Sequence, residues 1–309
     1  MRDLLDKRLI FVTGKGGVGK TTIAAALGLA AAGAGRRVLV CEVAAEERIT
    51  AAFGVPAIGF EEVEIEPRLS AFSASPDGAM QEWLHDQLPS RTLAGLLGGN
   101  RIFQSMTAVM PGLAEMVTVG KLWELAQLER RQPSSAPYDL VIVDAPATGH
   151  GLALLETPRN FTELARVGPI HRQASIVDAF VRDPATTAVI AVALAEEMPV
   201  NETIELERRL NDGLGLELER VLVNAVLPKR LSASEAKRLE AAERIGSRDA
   251  QRAIEVALAS YRSAHVQQSQ LARLRRGVDA KTVSLPHLLT PDVDRAGLAR
   301  LAAVLERKL

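Results

Sequence analysis

The sequence holds one cysteine, Cys41, in 309 residues. One thiol cannot close an intramolecular disulfide, and it cannot supply a four-cysteine metal site from a single chain. Histidines are few as well: His85, His150, His171, His265 and His287 are scattered and show no ligand spacing. Charge of one sign is also missing. The 37 basic and 38 acidic residues leave a formal charge of −1, without the basic excess that marks a nucleic-acid surface, so no nucleic-acid partner is expected. No long apolar run is present. The longest, the alanine-rich stretch Ile23–Ala34, falls short of the roughly 20 residues that span a bilayer, so no integral membrane segment is expected. Met1–Lys7 is charged and runs straight into a strand pattern, unlike a secretory leader with its apolar core. Together these features predict a cytoplasmic protein. The 47% hydrophobic and 24% charged residues are ordinary for a folded globular chain, and the length allows one large α/β domain or two average ones.

Short apolar runs rich in β-formers alternate with helical patterns. The runs are Leu9–Thr13, Val38–Cys41, Leu140–Asp144, Ala188–Leu194, Val221–Asn224 and Thr282–Leu285. Near-continuous apolar strands of this kind suit a parallel sheet covered on both faces, and the intervening helices predict a doubly wound α/β fold. The first helix, from Lys20, is expected to end near Gly33 and Gly35, both fit for a C-cap. Helical patterning also covers Met80–Arg131, Arg159–Val181 and Ser232–Arg276, with Ser232 as N-cap, and a last helix from about Pro291. Pro133–Pro137 and Val226–Leu231 read as loops. No internal repeat is visible. The economical organisation is one domain over 1–309, with helical subdomain segments at about 80–131 and 159–181.

The strongest motif is Gly14-Lys15-Gly16-Gly17-Val18-Gly19-Lys20-Thr21, set between a strand and a helix. That context is what a phosphate-binding loop requires. Glycines let backbone N–H groups approach phosphates with no Cβ in the way, and the helix N-terminus adds positive partial charge. Lys20 would reach the β- and γ-phosphates, Thr21 would hold Mg²⁺, and Thr22 would bond the α-phosphate. Asp144 ends a buried strand, where a carboxylate can orient a Mg²⁺-bound water. Lys15 has two readings, a solvated loop lysine or a second phosphate-binding cation. Asn224, at a strand end, is either a turn former or a base-reading amide.

The two-lysine loop resembles the deviant Walker A class of ATPases, which includes the partition ATPases and the nitrogenase iron protein. Within that class, the Tyr138–His150 segment, with Asp144 followed by Pro146, Ala147, Thr148, Gly149 and His150, resembles switch II of the ArsA/Get-type ATPases. Pro111, Gly112 and Glu115 resemble that family's Pro-Gly-x-x-Glu helix start. Glu196, Glu197, Met198, Glu202 and Thr203 resemble a strand exit and helix start of the family, and Leu285, Pro286 and His287 resemble a loop that closes over the base. The matches run from residue 9 to about 300. The resemblance implies a P-loop NTPase fold of the SIMIBI class, with ATP and Mg²⁺ as cofactors. It assigns catalytic roles to Lys15, Lys20 and Asp144. It gives nucleotide contacts to Gly14, Gly16, Gly17, Val18, Gly19, Lys20, Thr21, Thr22, Asn224 and Pro286, and Mg²⁺ contacts to Thr21 and Asp144. It further implies that Lys15 crosses to the nucleotide of a second ATPase subunit, in a homodimer or a paralogous heterodimer.

Three departures qualify this. Where the family's switch I carries Asp-Pro-Ala-His-x-Leu-x-Asp, the stretch Glu42–Thr50 puts Glu42 at the first aspartate and Ile49 where the water-positioning aspartate belongs. Glu46 or Glu47 could stand in, or they are helix-start glutamates that favour a positive helix end. One cysteine can supply neither the soft three-cysteine arsenite site nor the zinc-binding Cys-x-x-Cys pair. Phe103, Met106, Met110, Leu113, Met116 and Trp123 could form a flexible apolar groove for a client helix, or simply pack a core, and the Phe161–Phe180 excursion is shorter than the family's client insert. The predicted function is a nucleotide-driven dimeric ATPase acting on an apolar client or membrane-protein partner. The rival is a hydrolysis-deficient ATP-binding subunit that supports an active paralogue. A third reading, membrane-surface partitioning, would need a basic amphipathic terminal helix, whereas Val293–Leu309 has the pattern of a packing helix.

Overall fold

The computed structural model of the chain describes residues 2–43, 47–87, 112–130, 136–242, 246–290 and 293–309. Its frame is one eight-stranded sheet, made of β1 (Leu9–Thr13), β2 (Val38–Glu42), β3 (Val63–Glu66), β4 (Leu69–Ser73), β5 (Leu140–Asp144), β6 (Thr187–Leu194), β7 (Leu218–Val226) and β8 (Lys281–Pro286). The spatial order is β3-β4-β2-β5-β1-β6-β7-β8. All neighbours pair in parallel except β3 with β4. This is the doubly wound, mostly parallel sheet that the apolar runs predict.

The helices are α1 (Arg2–Leu5), α2 (Lys20–Gly33), α3 (Arg48–Ala52), α4 (Pro76–Gln87), α5 (Leu113–Leu125), α6 (Thr148–Leu164), α7 (Pro169–Arg182), α8 (Glu197–Arg209), α9 (Ala233–Ala242), α10 (Arg248–Gly277) and α11 (Arg295–Lys308). A single π turn, Leu210–Leu214, follows α8. None of these helices is long and apolar enough to cross a membrane.

Strand periodicity divides the core into two layers. Leu9, Phe11, Leu39, Cys41, Val141 and Val143 point to one face, packed with residues of α5 to α8 and with Leu271 and Leu274 of α10. Ile10, Val12, Val38, Val40, Leu140 and Ile142 point to the other, covered by α2 and α11. Gly28 lets α2 lie flat on that face, since a Cβ there would come within 2.6 Å of Val40 Cγ2. Cys41 is fully buried between Phe72 of β4 and Val143 of β5. Burial drives its thiol well above the ordinary value.

Several local expectations hold. Gly35 has φ +90°, and the Gly35 and Arg36 N–H groups return to the Ala32 and Ala31 carbonyls, so α2 ends in a Schellman motif. Ser232 caps α9 in a capping box: its Oγ accepts from Glu235 N at 3.3 Å, and Glu235 Oε2 accepts from Ser232 N at 2.8 Å.

Others change. The hairpin β3–β4 sits between α3 and α4, in a region without a strand expectation. It turns at Pro67–Arg68, with Arg68 at φ +66°. Strand β4 is buried throughout even though two of its five residues are serines, because small hydroxyls fit between packed layers. The Met80–Arg131 pattern overlaps α4, which begins earlier at Pro76, and contains α5. Its stretch 88–111, with Phe103, Met106, Met110 and Pro111, and its last residue Arg131 lie outside the described residues. The Arg159–Val181 excursion is split by a turn at 165–168. Ser232–Arg276 is two helices, the second capped afresh by Ser247, whose Oγ accepts from Ala250 N. The final helix starts at Arg295 with Asp294 as its cap, and Pro291 lies outside the described residues.

Candidate nucleotide site

The site lies at the carboxyl ends of the central strands, where a doubly wound sheet offers its crevice. β1 runs into the loop 14–19, and α2 begins at Lys20. Gly14 (φ +142°), Gly17 (φ +82°) and Gly19 (φ +91°) take backbone conformations that L side chains rarely adopt. Gly14 is seated hard on β6, where a Cβ would sit 2.2 Å from the Val192 carbonyl oxygen. Gly16 and Gly17 face open space with nothing within 4 Å, leaving room over the loop for a ligand. Val18 is buried and anchors the loop from below. Successive N–H groups at a helix start form the concave, electropositive nest that receives phosphate.

The side chains converge on the same place. Thr21 Oγ1 donates to Asp144 Oδ2 at 2.5 Å. Asp144 Oδ1 is buried and has no hydrogen-bond partner, and neither have Thr13 Oγ1 and Thr148 Oγ1. Burial pushes Asp144 up to about 6, against the pull of the Thr21 hydroxyl and the Lys20 charge. Burial also lowers Lys20 from its ordinary range, partly offset by Asp144. Lys20 Nζ reaches back to the Lys15 carbonyl at 3.1 Å. The donor set suits Mg²⁺: an unpartnered carboxylate oxygen beside a hydroxyl is a hard-oxygen pair, and a divalent cation would relieve the cost of holding that carboxylate buried.

The other predicted residues fall around this centre. The Thr148 N–H donates to the Gly14 carbonyl at 3.1 Å, so the start of α6 rests on the phosphate loop, with Gly149 and His150 exposed beside it. Thr22 lies in the first turn of α2, half-buried. Asn224 Nδ2 donates to the Val18 carbonyl at 3.0 Å and lies where a Cβ on Gly19 would point. Pro286 ends β8, pairing with Val226 two residues beyond Asn224. Lys15 does not stand free in solvent. Its Nζ pairs with Glu202 Oε1 of α8 at 2.5 Å.

The stretch after β2, which resembles the family's switch I, is arranged differently. Glu42 is buried, and its carboxylate accepts from the Arg48 and Ile49 N–H groups that open α3. Glu47 accepts from the N–H groups of Ile58 and Gly59, at 2.6 and 2.7 Å. Ile49 is buried in the core. Glu46 lies outside the described residues.

A model of the anion-transporting ATPase family matches residues 7–175 and 164–273. The chain belongs to the anion-transporting ATPase family. It is 35% identical to ATPase BagA of Mycobacterium tuberculosis over 232 residues, 72% of this chain and 66% of that protein. It is 30% identical to ATPase GET3 of Podospora anserina over 163 residues, 51% of this chain and 46% of the relative. The match thus spans just under two thirds of the first relative's length and just under half of the second's.

Two residues of this ATPase-family chain take positions at the site that the sequence does not foretell. Arg48, at the start of α3, places its charge close enough to act on Lys20, Asp144 and Glu42 together. Its only sequence signal is its position six residues after β2. Glu202 resembles a family helix-start position, but no spacing rule links a residue 187 positions away to Lys15.

Proposed function

We propose that the chain binds ATP with Mg²⁺ at the 14–22 loop and hydrolyses it, working as a nucleotide-driven dimeric switch. One observation carries this reading: an open glycine nest flanked by Lys20, Thr21 and a buried, half-unpartnered Asp144. In this reading the loop N–H groups hold the phosphates, Lys20 leaves the Lys15 carbonyl for the β- and γ-phosphates, and Asn224 reads the adenine. Mg²⁺, held through Thr21 and Asp144, would neutralise charge between the two terminal phosphates. Lys15 would serve the nucleotide of a second subunit, a copy of this chain or a paralogue.

The client in this reading is an apolar helix or a membrane-protein partner. Support comes from the helical layer, which belongs to the same folding unit as the sheet. Trp83, Trp123, Phe161 and Ile170 line a cavity of about 210 Å³ among α4 to α7. In the segment between Phe161 and Ile170, Leu164 and Val167 are 78% and 85% exposed. Leu113 and Met116 line the same cavity from buried positions, so they also serve as core.

A second reading, an ATP-binding subunit deficient in hydrolysis, is favoured by switch I. Glu42 and Glu47 are engaged by backbone N–H groups, and Ile49 is buried where the family has its water-positioning aspartate. Steady-state phosphate release by the purified chain separates the two. Turnover that disappears in Lys20→Ala overturns the second reading. Tight ATP binding without turnover overturns the first.

A further inference from the structure

Both lysines of the phosphate loop are held by contacts within the chain. Lys20 Nζ bonds the Lys15 carbonyl, and the Lys15 ammonium bonds Glu202. Glu202 stands in the second turn of α8, the helix that follows β6. β6 also seats the base of the loop, through Val192 against Gly14. The loop and the β6–α8 unit are therefore joined at two points, one permanent and steric, one ionic and separable. The ionic one is part-exposed, with side-chain accessibilities of 31% for Lys15 and 36% for Glu202. An ion pair in that setting is weak enough to exchange partners.

We propose that Glu202 is a positioning residue that restrains Lys15 in the nucleotide-free subunit, and that engagement of a phosphate by Lys15 requires this pair to open. The proposal rests on the dimeric reading above and adds its resting state. An ammonium cannot keep its full interaction with Glu202 while it neutralises a phosphate on a neighbouring subunit. Dimer closure thus exchanges one ionic contact for another, and Glu202 sets how readily closure happens. The phosphate contact is charge-assisted and desolvated on closure, so it outcompetes a half-exposed carboxylate. Because Glu202 stands on α8 and not in the 14–19 loop, its loss leaves the first binding event intact.

The test uses the full chain and the variants Glu202→Gln and Glu202→Asp. In nucleotide-free protein, acylation of the Lys15 amine is measured by mass spectrometry and normalised to the exposed Lys229. The fraction of dimer is then followed by sedimentation against a non-hydrolysable ATP analogue with Mg²⁺. Glu202→Gln is expected to raise Lys15 modification by about 2- to 5-fold, the range set by a part-exposed pair. It should lower the analogue concentration for half-dimerisation by a similar factor. Glu202→Asp, which keeps the charge, should fall between Glu202→Gln and the parent. Unchanged Lys15 modification overturns the restraint, and so does raised modification with an unmoved dimerisation curve. Failure of parent and variant alike to dimerise at saturating analogue overturns the dimeric reading instead, and the modification arm then decides the restraint by itself. Unchanged thermal midpoints separate all of these results from loss of fold.

Discussion

Two neighbouring strands each carry a carboxylate at the same level: Asp144 on β5 pairs in register with Glu42 on β2. Their surroundings differ in kind. Around Asp144 one oxygen meets only a hydroxyl and the other meets nothing, and the nearby Thr13 and Thr148 hydroxyls are also unpartnered. Around Glu42 both oxygens accept from the backbone N–H groups that start α3, Oε2 from Arg48 and Ile49 and Oε1 from Arg48. Burying a carboxylate is costly in both places. At Glu42 burial still raises the carboxyl above its ordinary value, but the backbone N–H groups offset part of that cost and occupy both oxygens, so the residue works as scaffold. At Asp144 the compensation is incomplete, and the remaining capacity is what a ligand can use. Between these two carboxylates, the unpartnered oxygen separates site from scaffold where residue type does not.

The largest test of this contrast is Lys20→Ala. Removing two charge-assisted phosphate contacts of about 2 kcal/mol each should weaken ATP binding roughly 1000-fold in a calorimetric titration. Retention of parent-like affinity would move the site away from this loop. Asp144→Asn comes next. The folded chain holds the Asp144 proton up to about 6, whereas the ordinary value is 3.8. The folded state therefore binds more protons than the unfolded state across that window, and metal-free stability falls as pH rises through it. The asparagine variant should lose this component and gain about 2–3 kcal/mol at pH 7 in chelator, with Mg²⁺-dependent binding impaired. Denaturant unfolding at pH 4 and pH 7, read as the difference from the parent, checks the sign. Equal slopes for both proteins would refute it.

Smaller effects probe the scaffold side. Glu42→Ala removes the acceptor for two helix-start N–H groups and should cost about 1.5 kcal/mol, while nucleotide affinity measured on the folded protein stays near the parent value. The smallest change expected is Glu47→Gln. Its amide oxygen still accepts one backbone N–H, so the thermal midpoint should drop by no more than about 1 kcal/mol equivalent, with turnover unaffected. A tenfold loss of turnover in a stably folded Glu47→Gln protein would place Glu47 in the chemistry and break the contrast.

The sequence made the central sheet legible because its strands are continuous apolar runs, a pattern imposed by burial on two faces. Leu9–Thr13 and Leu140–Asp144 are recovered with the predicted bounds. The phosphate loop was legible because its glycines answer to backbone geometry, as the positive φ angles of Gly14, Gly17 and Gly19 show. The β3–β4 hairpin was not. Val63–Glu66 alternates like an exposed edge, and β4 fills a buried slot with Ser70 and Ser73, whose hydroxyls read as loop. The Lys15–Glu202 pair was hidden for another reason: two charged residues far apart in sequence carry no periodicity that joins them. The engagement of Glu47 by Ile58 and Gly59 was equally invisible, since backbone donors leave no mark on composition.

Cys41 lies between Phe72 and Val143 in the body of the sheet, its thiol fully buried and held protonated. A soluble alkylating reagent reaches it only when the strands part, so its rate of modification is a chemical clock for sheet opening, with no engineering of the chain. The same seclusion gives a silent background. A cysteine introduced on the surface, for instance at Val167, becomes the one quickly reacting thiol, and a fluorophore attached there would report motion of the helical layer while Cys41 stays dark.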